Sequence, residues 1–190
     1  MAEITKNWIA DKMRELMKHR PIEKIRVTEI CEAADIERPT FYYHFKDKYD
    51  LVAWMFTSDA AGTDVLSVRS AADGLNKMKR EILFYRRAYE DQLQNALWRY
   101  MIEYFVSRYT DLAKEKLGVD TLDTQLSYSI RFYCTGSVGM TREWVLNDNI
   151  TSAETAVKMM FASMLENMRR VLFDAAVTEK RPETRSITVK

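Results

Sequence analysis

The sequence predicts an all-α protein, and three observations carry this prediction. Glycine and proline, which interrupt helices, number only 5 and 3 among 190 residues. Apolar side chains recur every three or four positions through most of the chain, which is the period of an α-helix. The alternation of apolar and polar residues that is typical of β-strands is absent. A hydrophobic content of 47% is sufficient for one medium core, or for a small unit joined to a larger one.

Composition bounds the classes of protein to which the chain can belong. The net charge is +1, and the first fifty residues contain ten basic and ten acidic side chains, so any affinity for nucleic acid must come from local placement of cations. Cys31 and Cys134 lie far apart without a neighbouring cysteine or histidine, so we expect two buried thiols in a reducing compartment, no metal site and no cofactor. No stretch reaches the roughly 20 apolar residues of a membrane span, and no signal peptide is recognisable. A cytoplasmic protein without a membrane partner is therefore expected.

One stretch in the first third of the chain predicts two short helices joined by a tight turn. Thr28 can cap the first helix with its hydroxyl, and Asp35 falls at the turn, where aspartate tolerates a left-handed backbone. Pro39 suits the first turn of the second helix, which has no amide hydrogen bond to lose. Phe41 and Phe45 are four residues apart and share one buried face. This arrangement is that of a helix-turn-helix.

The remaining side chains of the second helix carry groups that bind DNA. A guanidinium, hydroxyls, phenols and an imidazole lie within about two turns, followed at once by two lysines. Such groups donate to phosphate oxygens and reach base edges in a major groove that admits one helix. The competing interpretation is that an aromatic run of this kind belongs to the core. The side chains concerned are Arg38, Thr40, Tyr42, Tyr43, His44, Lys46 and Lys48.

Residues 25–51, IRVTEICEAADIERPTFYYHFKDKYDL, resemble the DNA-binding domain of the tetracycline-repressor family. Two positions depart from the family's pattern. Asp35 stands where glycine is usual, which strains the turn slightly. Glu37 stands where a serine often caps the second helix; it complements the helix dipole but repels phosphate. The positions that fall in register are Thr40, Phe41, Tyr42, Phe45, Lys48 and Leu51.

Side-chain chemistry and the resemblance together give each candidate a role in DNA binding. Arg38 can donate to guanine, and Pro39 and Tyr43 can contact thymine methyl groups or sugar edges. The resemblance implies that phosphates are bound by Thr28, Thr40, Tyr42 and Lys48, with His44 as a weaker candidate.

The chain on either side of this motif divides into further predicted helices. A first helix over residues 3–19 packs across the motif, and a connecting helix runs from residue 48 to about 69, with Gly62 as a point where it can bend. Asp73 is expected to cap the following helix. Gly118 is expected to end the helical region after that.

Two apolar stripes near the C-terminus predict a pair of helices that forms a dimer interface. In one helix, from about residue 122 to 147, and in a second, beginning at Thr151 with Glu154 completing a capping box, apolar positions alternate four and three apart. Such a pair can form a four-helix bundle with a twofold mate. The alternative is that both stripes are intrachain core. The side chains assigned to the interface are Leu126, Ile130, Ser137, Val157, Phe161, Met164 and Met168.

The resemblance also implies an effector pocket in the C-terminal part. Gly136-Ser137-Val138-Gly139, followed by Glu143-Trp144, is similar to regulators of dihydroxyacetone-kinase operons. Aromatic and methionine side chains favour a medium-sized, partly apolar ligand, although the same side chains also fill ordinary cores. The candidate lining residues are Trp54, Phe84, Tyr104, Tyr133 and Met140.

One function and one alternative follow from these observations. We expect a ligand-responsive transcriptional regulator, a repressor in the family's common case, that binds a palindromic DNA operator as a homodimer and responds to an unknown small-molecule effector. Residues 1–47 form the DNA-binding domain, 48–177 the effector-binding and dimerisation domain, and 178–190 a polar tail. The alternative is a helical dimeric interaction protein that has lost sequence-specific DNA binding. An enzyme is not expected, because both histidines lie in the first domain and no nucleophile stands beside a base.

Overall fold

The structure is a computed structural model that describes residues 2–90, 96–147 and 150–174, and its secondary structure there is helical, with no strand. The predicted all-α fold is confirmed. A short 3-10 turn, Ile22–Lys24, follows the first helix. No helix in these ranges is long and apolar enough to cross a membrane. The α-helices described are α1 Ala2–His19, α2 Val27–Ala34, α3 Arg38–His44, α4 Lys48–Ala60, α5 Val68–Arg80, α6 Ile82–Glu90, α7 Leu97–Leu117, α8 Thr124–Leu146, α9 Ala153–Ala162 and α10 Glu166–Phe173.

Helices α1 to α3 form a three-helix head, and α4 to α10 form the body. Met13 of α1 is fully buried in the same core as Ile30 of α2 and Phe41 of α3. The indole N–H of Trp8 donates to the carbonyl oxygen of Ala34 at 2.9 Å, which ties α1 to the end of α2. The first helix therefore packs across the helix-turn-helix, as predicted.

The turn between α2 and α3 has the predicted backbone. Asp35 adopts the left-handed conformation with φ of 52°, and the N–H of Ile36 donates to the carbonyl oxygen of Cys31 at 3.0 Å. Pro39 stands in the first turn of α3, where no amide hydrogen bond is lost. These two residues hold α3 at a fixed angle to α2.

The start of α2 differs from the prediction. The N-cap is Arg26, and Thr28 lies half-buried in the first turn, so the expected cap at Thr28 is wrong. The carboxylate of Glu29 accepts the backbone N–H of Arg26 at 2.8 Å. Because a glutamate three residues into the helix satisfies that N–H, the helix can begin without a hydroxyl cap.

The connecting helix is shorter than predicted. It starts behind Asp47, whose carboxylate accepts two backbone N–H groups, and it ends at Ala60 rather than near residue 69. Gly62 has a φ of 79°, which an L residue rarely adopts, so the chain turns there. The hydroxyl of Ser67 then caps α5, and Asp73 lies within α5 rather than at its start.

Gly118 ends α7 with a φ of 65°, as predicted.

The last predicted helix is divided into two helices, α9 and α10. Ser152, not Thr151, caps α9, accepting the N–H of the residue three positions on at 3.1 Å. The helix breaks before α10, and this break directs Met168 and Leu172 into a core shared with α7 and α8.

Candidate DNA interface and body cavity

The aromatic run of α3 separates into a buried and an exposed set. Phe41 and Phe45 are 0% and 2% exposed, and their ring centroids lie 5.8 Å apart. Tyr42 and Tyr43 point outward and are 47% and 82% exposed. The core interpretation of the aromatic run therefore applies to the phenylalanines. The tyrosines are accessible to another molecule.

Polar groups flank these two tyrosines. The guanidinium of Arg38 lies 5.8 Å from the ring centroid of Tyr42 and forms no ion pair within the ranges that the structure describes. The imidazole of His44 packs edge-on against Tyr43, with centroids 4.9 Å apart. Every candidate on α3 retains contact with solvent: Arg38, Pro39, Tyr42 and Tyr43 are exposed, and Thr40 and His44 are half-buried.

Lys48 has a role that the phosphate prediction missed. Its ammonium nitrogen lies 2.7 Å from the carbonyl oxygen of Ile22, 2.8 Å from that of Ile25 and 3.1 Å from that of Glu23. An ammonium has three hydrogens, and these carbonyls engage them. In this structure the side chain fixes the start of α4 to the turn before α2, and the phosphate contact of Lys48 stays a prediction.

Local pairing decides which charges of the head remain accessible. The guanidinium of Arg20 donates to the carboxylate of Glu29 at 2.7 Å. This hydrogen bond and that from the backbone of Arg26 lower the pKa of Glu29 to about 2. Glu37, at the N-cap of α3, is exposed, and its side chain makes no capping hydrogen bond. Glu29 is therefore paired within the head, whereas Glu37 faces solvent beside α3.

A cavity of about 120 Å³ lies in the body among α4, α5, α6, α7, α8 and α9. Three aromatic rings of its wall, from Phe56, Tyr104 and Phe105, meet edge to face with centroids 5.3 to 6.0 Å apart. The hydroxyl of Tyr109 donates to the carbonyl oxygen of Val65 at 2.8 Å, which fixes the loop after α4 against α7. The cavity thus has a mainly apolar wall.

The predicted lining residues divide between this cavity and other places. Tyr104 and Tyr133 line the cavity. Trp54 does not, because its ring packs edge-on against Phe45 of the head, with centroids 5.6 Å apart. Phe84 is buried among core side chains, which is the core packing left open as an alternative. Met140 is exposed and borders a separate groove between α8 and α9.

Five polar side chains meet where α1 reaches the body, and we call Arg14, Asp59, Lys77, Glu81 and Tyr85 the junction cluster. One oxygen of Asp59, Oδ2, accepts from the Arg14 guanidinium and from the Tyr85 hydroxyl, each at 2.9 Å. The other, Oδ1, lies 3.0 Å from the Lys77 ammonium. Arg14 also forms an ion pair with Glu81.

This cluster keeps Asp59 charged although the residue is largely buried. Burial would raise the pKa of Asp59, but the hydrogen bonds and charges of Arg14, Lys77 and Tyr85 outweigh it and hold the pKa below its ordinary value. Burial and the charge of Asp59 raise the pKa of Tyr85, so its hydroxyl remains a donor.

The junction cluster connects the head to the cavity. Asp59, Lys77 and Tyr85 line the cavity, whereas Arg14 belongs to the head. Sequence reasoning missed the cluster, because its members come from separate helices and no local spacing relates them.

The residues predicted to form a dimer interface lie inside one chain. Ser137 and Phe161 line the cavity. Five others are at most 5% exposed in the single chain, so the structure supports the alternative of intrachain core: Leu126, Ile130, Val157, Met164 and Met168.

A different side of α8 presents apolar side chains to solvent. Tyr128, Phe132 and Met140 are 71%, 63% and 58% exposed. Gly136 and Gly139 lie between them and are also exposed. We call these five residues the outer face of α8. Their spacing follows the helical period, so the outer face is continuous.

Known protein families match both the N-terminal and the C-terminal part of the chain. Residues 9–55 match the family described as "Bacterial regulatory proteins, tetR family", and residues 72–166 match "Transcriptional regulator C-terminal region". The HTH-type dhaKLM operon transcriptional activator DhaS of Lactococcus lactis subsp. lactis is 36% identical over 58 residues. That match covers 30% of this chain and 31% of the relative, so it spans about a third of the relative's length.

A solved structure is similar over nearly the whole chain. The structure of the dihydroxyacetone kinase operon activator DhaS has a TM-score of 0.57 at 21% identity, and the match covers 87% of this chain and 97% of that one. At this identity the likeness shows the fold. The two family matches show more. The first includes the helix-turn-helix and the second alone covers half of the chain, so the protein belongs to the tetracycline-repressor family of bacterial transcriptional regulators.

Proposed function

We propose that the protein binds a palindromic operator as a homodimer, with α3 in the major groove, and that a small molecule in the body cavity alters this binding. One observation carries the proposal: Tyr42 and Tyr43 are exposed on α3 while Phe41 and Phe45 hold the helix in the core. A helix fits the major groove, which is about 12 Å wide. An exposed pair of aromatic side chains beside an arginine that has no acidic partner among the described residues suits contacts with base edges and phosphates.

The exposed side chains of α3 have separate roles in this proposal. Arg38 donates to guanine and gives sequence preference. Pro39 and Tyr43 contact thymine methyl groups or sugar edges. The remaining groups bind phosphate and act on all sequences alike: Thr28, Thr40, Tyr42 and His44. Lys48 contributes by fixing the position of α4 relative to the turn before α2.

Homodimerisation through the outer face of α8 replaces the interface proposed from the sequence. Three large apolar side chains are exposed there, and such a patch is typical of an interaction site. The two glycines allow a second helix to approach closely. In a twofold dimer, this face would pack against the same face of the other protomer, as an isologous interface requires. Two heads would then meet two half-sites of a palindrome.

The dimer is tested by light scattering combined with size exclusion. Phe132→Glu places a charge in the proposed interface and is expected to yield a monomer of unchanged helical content by circular dichroism. The matched control is Val119→Glu, which alters an exposed apolar side chain after α7, outside the outer face. Equal masses for wild type and Phe132→Glu would contradict this interface.

The sign of regulation is a separate part of the proposal. We assign repression, because a dimer on an operator blocks transcription without any further contact. The DhaS relative is named an activator. A reporter fused to the operator distinguishes the two: loss of the protein raises expression under repression and lowers it under activation.

Operator binding is tested by selecting fragments of the source genome on the immobilised protein and sequencing them. The expected result is enrichment of fragments that share a palindromic sequence, and Arg38→Ala should lose this preference. Absence of enrichment over the input would favour the alternative of a helical interaction protein without sequence-specific DNA binding.

A further inference from the structure

The body cavity has the size and walls of a site for one small ring. Its volume of about 120 Å³ is comparable with the roughly 150 Å³ apolar cavity that takes up benzene. Phe56, Tyr104 and Phe105 supply aromatic surfaces in edge-to-face contact. A ligand that fills this space is therefore largely apolar and of about the size of a six-membered ring.

The charged groups in the wall distinguish an anionic ligand from a cationic one. Within the described residues, Asp59 and Lys77 are the charged side chains that line the cavity. Both oxygens of Asp59 are engaged, Oδ2 by Arg14 and Tyr85 and Oδ1 by Lys77. A cation in the cavity would therefore have to displace an existing partner from the carboxylate.

Lys77 has capacity for a further acceptor. Its ammonium pairs with Oδ1 of Asp59 at 3.0 Å and donates to the backbone carbonyl oxygen of the same residue at 3.3 Å. These contacts use two of its three hydrogens. The side chain is 39% exposed and also lines the cavity, so it lies where the cavity meets solvent. A ligand carboxylate could accept the third hydrogen there and remain partly hydrated.

A second polar group of the wall is the hydroxyl of Thr141. The residue is 6% exposed and lines the cavity. A hydroxyl can donate one hydrogen bond, so a ligand oxygen in the cavity could accept from Thr141.

From these observations we propose that the effector is a small ring or branched chain with one carboxylate, which Lys77 and Thr141 recognise. The inference rests on the ligand-responsive function proposed above and names the chemical class of the ligand. The apolar part fills the aromatic cavity, and the carboxylate pairs with the Lys77 ammonium at the opening.

The same contact gives the ligand a route to the DNA-binding head. A carboxylate that accepts the third hydrogen of Lys77 partly neutralises the ammonium, which weakens its attraction for Asp59, so Asp59 depends more on the guanidinium of Arg14. That guanidinium belongs to α1 of the head and also pairs with Glu81. Ligand binding therefore strengthens the tie between head and body. Because coupling between two sites is reciprocal, Arg14→Met should alter ligand affinity although Arg14 does not line the cavity.

The test is a titration of the full chain, without DNA, followed by NMR of 13C-labelled methionine methyl groups. The probes are benzoate, its neutral analogue benzamide and the cation benzylammonium. Benzoate is expected to bind most tightly and to shift the signals of Met78, Met101 and Met160, which line the cavity, but not that of Met13 in the head. Tighter binding of benzylammonium, or no shift with any probe, would overturn the proposal.

Variants locate the recognition groups. Lys77→Met should weaken benzoate about tenfold or more, since it removes a charge-assisted hydrogen bond. Arg80→Met, which removes a charge from an exposed position of the same helix, should leave the affinity unchanged. Thr141→Val, which keeps the side-chain shape, should weaken benzoate several-fold. Equal benzoate affinity in wild type and Lys77→Met would overturn the assignment.

The result is independent of the operator experiment. Benzoate binding that depends on Lys77 supports the ligand class even if the protein selects no DNA. Operator binding together with indifference to Lys77 supports the regulator and overturns the ligand class.

Discussion

The head and the body build their functional surfaces in different ways. The exposed groups assigned to DNA binding come mainly from the seven residues of α3. The wall of the cavity comes from six helices, α4 to α9, with contributions from Phe56 to Phe161. A surface on one short helix follows from the helical period alone, whereas a cavity depends on how distant helices pack. The predictions below test this contrast, from the largest expected effect to the smallest.

Two adjacent residues of α3 should differ strongly in their effect on stability. Phe41→Ala is expected to lower the free energy of unfolding by about 3–5 kcal/mol, because it leaves a cavity in the core of the head. Tyr42→Ala should change it by less than about 1 kcal/mol, since half of that side chain is exposed. Urea unfolding followed by circular dichroism measures both. Similar losses in the two variants would contradict the division of the aromatic run.

The junction cluster should contribute more to stability than an exposed ion pair. Arg14→Met leaves Asp59 and Glu81 without a shared cation, and we expect a loss of about 2–3 kcal/mol on urea unfolding. The control is Arg131→Met, which breaks an exposed pair with Glu103 and should have an effect of less than about 1 kcal/mol. Equal losses would show that the cluster does not hold the head to the body.

Next to the head, Lys48 and Lys46 should differ in their effect on stability, because Lys48 makes structural contacts and Lys46 contributes only surface charge. Lys48→Met removes three contacts to backbone carbonyls and should lower the free energy of unfolding by about 1–2 kcal/mol. Lys46→Met alters an exposed side chain and should leave stability unchanged. If Lys46→Met were as destabilising as Lys48→Met, the bonding role of Lys48 would be wrong.

Acid titration should show the smallest of these effects. The pKa of Asp59 lies below its ordinary value of 3.8 in the folded protein, so its carboxylate stabilises the fold above about pH 4. This contribution is lost as the pH falls through the lower, folded-state pKa. Wild type should therefore lose more stability below pH 4 than Asp59→Asn does, measured by urea unfolding at several pH values. A larger loss in the variant would reverse the assigned direction of the pKa shift.

The sequence predicts the head better than the body for a physical reason. Asp35 and Pro39 determine a local turn, and the spacing of Phe41 and Phe45 determines which side of α3 is buried. The structural contacts of Lys48 were missed because its partners are carbonyl oxygens of the backbone, whose position no side-chain pattern records. The expected cap at Thr28 was wrong because Glu29 satisfies the N–H at the start of α2 instead.

In the body, the helical content could be predicted from the sequence, but which helices pack against each other could not. The stripe through Leu126 and Ile130 was correctly identified as a buried face, yet periodicity does not state whether the covering helix belongs to the same chain. Trp54 and Phe84 are aromatic like Tyr104, and only the packing of α4 to α9 decides which of them meets the cavity. Asp59 and Arg14 form a pair across 45 residues of sequence, a distance at which no spacing rule applies.

The central claim is that the exposed face of α3 reads DNA, and fluorescence anisotropy with an operator duplex tests it most directly. The titration compares the operator with a scrambled duplex of equal length, at two salt concentrations, for wild type, Arg38→Ala and Tyr43→Ala. We expect wild type to prefer the operator, with affinity that falls as salt rises. Arg38→Ala should lose about 1–3 kcal/mol of that preference, and Tyr43→Ala should bind the operator more weakly. Equal binding of wild type to both duplexes, or an unchanged preference in Arg38→Ala, would contradict the claim.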